Sequence, residues 1–272
     1  MKISLLPDSV LSSVLSMDGT DRLSGLEDIE ETQVIRKADI LSDSIMEQEK
    51  ISIFVDFEMQ PVDRNKHPAE WDIARHEIIE IGAVMLDEGL DEIDSFQSYV
   101  RPAYSDEIQQ TVEAMTGITE KTLALAPGFA QAFCDFSRWC NKNGQVYSIY
   151  AWSGADRGQI VHELLLKQIE KTDSVKYMLS HWYDYQKIFT RTIGRKLAVS
   201  LDRAVTACGL SFEGQMHDAL WDARNTARLY RLTSDKKSFR KMAPGVKRSL
   251  ETKDHFTASL GDMVDLSKFN LP

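Results

Sequence analysis

The stretch ISIFVDFEM at residues 51–59 constrains this chain more than any other. It is an apolar, β-rich run that carries two acids, Asp56 and Glu58, two residues apart. Side chains alternate across a strand, so Ile53, Val55, Phe57 and Met59 face one way while Asp56 and Glu58 share the other face. Two neighbouring carboxylates in so apolar a strand repel each other and lose solvation unless a cation sits between them. An edge strand with one wet face is the alternative that this fragment alone leaves open.

Two further pieces of sequence bear on that choice. After the apolar run QVYSIYAW, a Ser153-Gly154-Ala155 turn leads to Asp156, which opens a helix with Ile160, Val161, Leu164, Leu165 and Ile169 at helical spacing. As a helix N-cap, Asp156 needs no catalytic role. In open α/β sheets, however, sites gather where strands end and helices begin. His217 and Asp222 are five residues apart, about 140° around a helix, and cannot share one helical face. They converge if His217 lies in the loop after Gly214 and Asp222 lies on the helix that is plain from Ala219 onward. Ala219 is the small residue that a crowded centre requires. Four carboxylates and one imidazole fit the two-metal hydrolysis of a phosphodiester, with the histidine deprotonating the attacking water. An all-oxygen ligand set suits Mg²⁺ or Mn²⁺ rather than zinc, and the sequence has no Cys/His cluster of zinc spacing.

The order DFE, then strand–turn–Asp, then H-x-A-x-x-D resembles the DEDDh branch of 3′→5′ exonucleases in the ribonuclease-H-like superfamily. Within that branch it is similar to the histone-mRNA 3′ exonuclease group and its bacterial sporulation-pathway-inhibitor relatives. HEIIEIGAVMLD (76–87) resembles the family's second strand, SFQSYVRP (95–102) its third, MTGIT (115–119) its L-T-G-I-T turn, and residues 201–230 its C-terminal helix–loop–helix. A tyrosine variant of the motif is excluded, because the position four before Asp222 is Asp218. Two departures stand out. Ala219 and Trp221 replace the glycine and first aspartate of H-x-G-L-D-D, and a long segment, residues 60–77, follows DFE. The resemblance implies that Asp56 bridges two cations, that Glu58 and Asp222 complete the first, and that Asp156 holds the second. It implies that His217 is the general base and that nucleoside 5′-monophosphates leave from the 3′ end. It also implies a substrate cleft at Met59 and Gln60, with Met115, Thr116, Gly117 and Ile118 as a wedge against the terminal bases. For MTGIT, a plain loop with Thr119 capping the next helix remains the alternative.

The expected fold is α/β, a ribonuclease-H-like mixed five-stranded sheet flanked by helices. Strands are expected near 51–59, 77–87, 92–100, 146–152 and 181–185. Helices are expected near 107–126, 129–142, from Asp156, and near 186–193, 200–208 and 219–232. Residues 51–232 form the expected exonuclease domain, between an acidic N-terminal extension (1–50) and a basic C-terminal one (233–272). The net charge of −10 argues against a broad phosphate-binding footprint. Its distribution softens the point, since residues 1–50 contribute −6 (5 basic, 11 acidic) and residues 233–272 contribute +3 (8 basic, 5 acidic). The expectation is an enzyme that reads the 3′ end of single-stranded or overhanging RNA or DNA, with RNA favoured. Lys187, Arg191, Arg195 and Lys196 are read as cations able to track phosphates, against a plain solvated face. Cys134, Cys140 and Cys208 lack framework spacing and read as buried thiols of a cytoplasmic protein, and no apolar run reaches membrane-spanning length. From another functional class stands a nuclease-fold binding module, or a partner-bound regulatory or proofreading subunit whose protein partner docks through 1–50 or 233–272.

Overall fold

The apolar run that begins at Ile51 is the middle strand of a five-stranded sheet. The computed structural model describes residues 51–142 and 146–263, with side chains as far as Glu251; the acidic segment 1–50 lies outside the described residues. Strands β1 (Ile51–Pro61), β2 (His76–Leu86), β3 (Glu92–Tyr99), β4 (Tyr147–Ala151) and β5 (Trp182–Asp184) stand in the order β3-β2-β1-β4-β5. β1 pairs antiparallel with β2 and parallel with β4; β2–β3 is antiparallel and β4–β5 parallel. This is the mixed α/β sheet expected from the sequence.

One face of β1 enters a large apolar cluster. Ile53, Val55 and Phe57 pack there with Phe129, Phe133 and Phe136 of α4 (Phe129–Cys140), Ile160 and Leu164 of α5 (Ala155–Leu166), and Met178 of α6 (Asp173–Ser180). The opposite face packs Phe54, Val84 and Leu86 against Ala223 and Ala227 of α9 (Ala219–Ser234). A further cluster joins Trp152 to α7 (Tyr185–Thr192), α8 (Leu201–Ala207) and α10 (Lys236–Met263). Phe239, Val246 and Leu250 of α10 are buried in it. The start of the expected C-terminal extension is therefore packed on the domain along one face of α10.

Several expectations need correction. The helix expected over 107–126 is two short ones, α2 (Gln110–Thr116) and α3 (Glu120–Ala124). Gly117 between them adopts φ 72°, and Thr119 caps α3 by accepting from Thr122 N–H. A left-handed residue ends an α-helix, and glycine adopts that conformation without a Cβ clash. The segment between β1 and β2 holds the one-and-a-half-turn helix α1 (Pro68–Ile73), and α6 was equally unforeseen. Among the cysteines, Cys134 is exposed while Cys140 and Cys208 are buried. No helix among the described residues is long and apolar enough to cross a membrane.

Candidate active site

Strand register brings the acids together. Parallel pairing sets Val55 opposite Ala151, so β4 ends beside Asp56 and the following turn starts α5 there. Asp156 is not the N-cap of α5. Gly154 holds that position and Asp156 lies in the first turn, buried, where its Oδ2 accepts from the Ser153 hydroxyl at 3.2 Å. On the other side of β1, antiparallel pairing sets Asp56 opposite Gly82 and Glu58 opposite Glu80.

Gly82 is what lets α9 reach this point. A Cβ there would lie 2.1 Å from the backbone nitrogen of Leu220 and 2.2 Å from the carbonyl carbon of Ala219. The first turn of α9 thus rests directly on the backbone of β2, and Asp222 comes beside Asp56 and Glu58. The helix is capped by Asp218, whose carboxylate accepts from Trp221 N–H at 3.1 Å. His217 precedes the cap in the left-handed region, φ 63°, and its backbone N–H donates to Asp222 Oδ2 at 3.2 Å. Its imidazole is exposed. Trp221 packs against Gly214, where φ is +71° and a Cβ would fall 2.1 Å from the indole ring.

The electrostatics reflect crowding without compensation. Burial first, then the charges of Asp156, Asp222, Glu58 and Glu80, hold the Asp56 carboxyl well above the usual carboxylate range. Burial pushes Glu58 up to about 8, with Asp222 and Glu80 adding to it. Burial likewise raises Asp222 to about 7 and Asp156 to about 6. Among the described residues no lysine or arginine forms an ion pair with any of these four. Asp222 Oδ1 is buried and has no hydrogen-bond partner. Glu58, His217 and Asp222 each offer a ligand atom within 4.8 Å of the others, a group able to hold a metal ion. An orphaned carboxylate oxygen among unneutralised acids suits a hard divalent cation.

Glu80 is the acid that sequence reasoning missed. It is buried, and its two oxygens accept from Gln97 Nε2 at 2.7 Å and from the backbone N–H of Ala219 at 3.3 Å. It therefore holds the start of α9 to β2. Its signal was present, because a second acid in HEIIEIG lies opposite Glu58 once the strands pair.

The expected substrate-binding residues divide. Met115 and Gly117 are exposed, and Gln215 Nε2 of the His217 loop reaches the Thr116 carbonyl at 3.4 Å. Ile118 and Thr116 are buried, Ile118 packing with Ile79 and Leu123, so their side chains are not a wedge. Met59 packs partly buried against the core, and the Gln60 amide is engaged with Glu107 O and Gln109 N–H. Lys187 pairs with Asp184 at 3.0 Å beside Gly154, and Arg195 is buried and donates to Leu197 O at 3.1 Å. Arg195 is thereby removed as a phosphate contact.

Comparison with known proteins identifies the family and the fold. The family model described as exonuclease, of the RNase T type, matches residues 53–230. ERI1 exoribonuclease 2 of Danio rerio is 30% identical over 173 residues, which is 56% of this chain and 30% of that protein. The 3′-5′ exoribonuclease 1 of Rattus norvegicus is 28% identical over 183 residues, 64% of this chain and 50% of its own length. The chain thus spans about 30% of the first of these relatives and half of the second. The solved nuclease domain of 3′hExo, a DEDDh family member, bound to rAMP, superposes with a TM-score of 0.57 at 21% identity, covering 69% of this chain and 93% of that one.

Proposed function

The chain belongs to the exonuclease family, and on that premise we propose that it hydrolyses the terminal phosphodiester at the 3′ end of a nucleic acid, RNA in preference to DNA. The observation that carries this reading is the meeting of four unpaired acids midway along β1, where β4 ends, beside an exposed imidazole. The preference for RNA draws on relatives that are named exoribonucleases.

Asp56 is assigned to both of two divalent cations, Glu58 and Asp222 to the first, and Asp156 to the second. Mg²⁺ or Mn²⁺ bound there would supply the charge that steadies the attacking and leaving oxygens of an in-line displacement. The carboxylates supply rigid placement. Asp56 and Glu58 are fixed by strand pairing, and Asp222 by the seating of α9 on Gly82. His217 takes the proton from the attacking water. Its backbone is tied to Asp222 while its ring faces solvent, so the proton can pass on to bulk water. Met115 and Gly117, on the exposed turn next to the His217 loop, and the backbone at Met59 and Gln60 border the space for the terminal nucleotide.

The test is a panel of 5′-labelled RNA and DNA oligomers with blunt, recessed and overhanging ends, incubated with Mg²⁺, Mn²⁺ or chelator. Stepwise shortening from the 3′ end, abolished by chelator and by Asp56→Ala in a protein that stays folded, is the expected result. Cleavage that survives either treatment would remove the assignment.

A further inference from the structure

The segment between β1 and β2 carries a feature that the hydrolytic machinery does not use. The guanidinium carbons of Arg64 and Arg75 lie over the indole of Trp71, 4.4 and 4.7 Å from the ring centroid. Both arginines are exposed, and among the described residues neither is paired with a carboxylate. Two like charges over one ring repel each other, and no carboxylate among the described residues lies within ion-pair distance of either. The base of the segment is closed by Val62 N–H donating to Arg75 O at 2.9 Å, and Asp63 N–H ties it to Tyr104 O at 2.9 Å.

Arg64 and Trp71 also line a cavity of 750 Å³ whose wall begins at Gln60, two residues beyond Glu58, and is completed by Ser105 to Gln110. That volume lies within the range of ligand sites, roughly 300–1,000 Å³. Asp63 and Asp106 in its wall are each within reach of Lys66, at 3.8 and 2.6 Å.

We propose that Arg64, Trp71 and Arg75 form a contact for the polynucleotide strand leading to the 3′ end, with the two guanidiniums on its phosphates. The proposal rests on the exonuclease reading above. The guanidinium fork matches phosphate oxygens bidentately, and a ring that already orients both forks reduces the ordering needed on binding. Cations interleaved with an aromatic side chain are the chemistry that holds single strands without reading sequence. The cavity wall reaches Gln60, two residues along β1 from Glu58, so a strand seated on the platform can lead toward the carboxylates.

The experiment compares the wild-type chain with an Arg64→Ala/Arg75→Ala double variant, on RNA of about a dozen nucleotides and on a dinucleotide. KM for the long substrate should rise on the order of tenfold more than KM for the dinucleotide. The slope of log affinity against log salt for the long strand should fall by roughly 0.7 per phosphate contact removed. Equal changes for both lengths, or an unaltered salt slope, would overturn the contact. Strand affinity is measured in parallel by fluorescence anisotropy with Ca²⁺. A wild-type chain that hydrolyses nothing would therefore sink the exonuclease reading, while the platform is judged on binding alone.

Discussion

Substituting Glu58→Gln separates two consequences of the carboxylate cluster. Burial and neighbouring acids push the Glu58 carboxyl from an ordinary 4.5 to about 8. At about 1.36 kcal/mol per pH unit, that displacement caps the penalty for ionising it in the metal-free protein at about 5 kcal/mol. Glu58 is only partly buried and shares its field with coupled acids, so about 2 kcal/mol is the expected size. The sign follows from linkage. A carboxyl whose folded value is raised contributes stability that is full below about pH 4.5 and is lost as pH rises through about 8. Glutamine cannot ionise and escapes that loss. Thermal melts after EDTA treatment should then show Glu58→Gln more stable than wild type near pH 8, by roughly 5 °C, with little difference near pH 5. Saturating Mg²⁺ should reverse the order. Wild type gains about 2.7 kcal/mol when metal exceeds its dissociation constant a hundredfold, whereas the variant lacks a ligand and gains less. A Glu58→Gln protein that melts below wild type without metal near pH 8, or that gains equally near pH 5, would refute the picture of uncompensated charge.

Other perturbations probe separate links. His217→Ala should lower the hydrolysis rate by roughly two to four decades while Mg²⁺ still raises the melting temperature; a wild-type rate across pH 6–9 would move the base elsewhere. Gly82→Ala places a methyl group against the backbone of Ala219 and Leu220. It should displace the start of α9 and cost both stability and most activity, read by melting and by the labelled-oligomer assay. A variant with unchanged activity would mean that helix placement is not limiting. Phe239→Ala in α10 should destabilise the domain by about 3–5 kcal/mol in urea unfolding, the usual cost of emptying a buried phenylalanine site. A change below about 1 kcal/mol would make α10 an appendage.

Much of the site was legible in the sequence because its signals are local. Strand alternation alone placed Asp56 and Glu58 on one face of ISIFVDFEM, and helical periodicity from Ala219 put Asp222 on a helix with His217 in the loop before it. Both periods follow from backbone geometry, which neighbouring residues determine among themselves. Cross-strand register and burial are not local. That Glu80 lies opposite Glu58 and holds Ala219, and that Gly82 admits the first turn of α9 beside Asp56, depends on residues more than twenty positions apart in the chain. The cap role that the sequence left open for Asp156 falls to Gly154. Ile118 reads as part of a wedge in the sequence, but packing on Ile79 and Leu123 buries it, and Thr116 is buried beside it. Pattern in the chain thus told which acids share a strand face and which stands on a helix. Only the closing of β2 and α9 over β1 decided how near to one another the charges come, because repulsion, desolvation and cation affinity all depend on distances that no single segment contains.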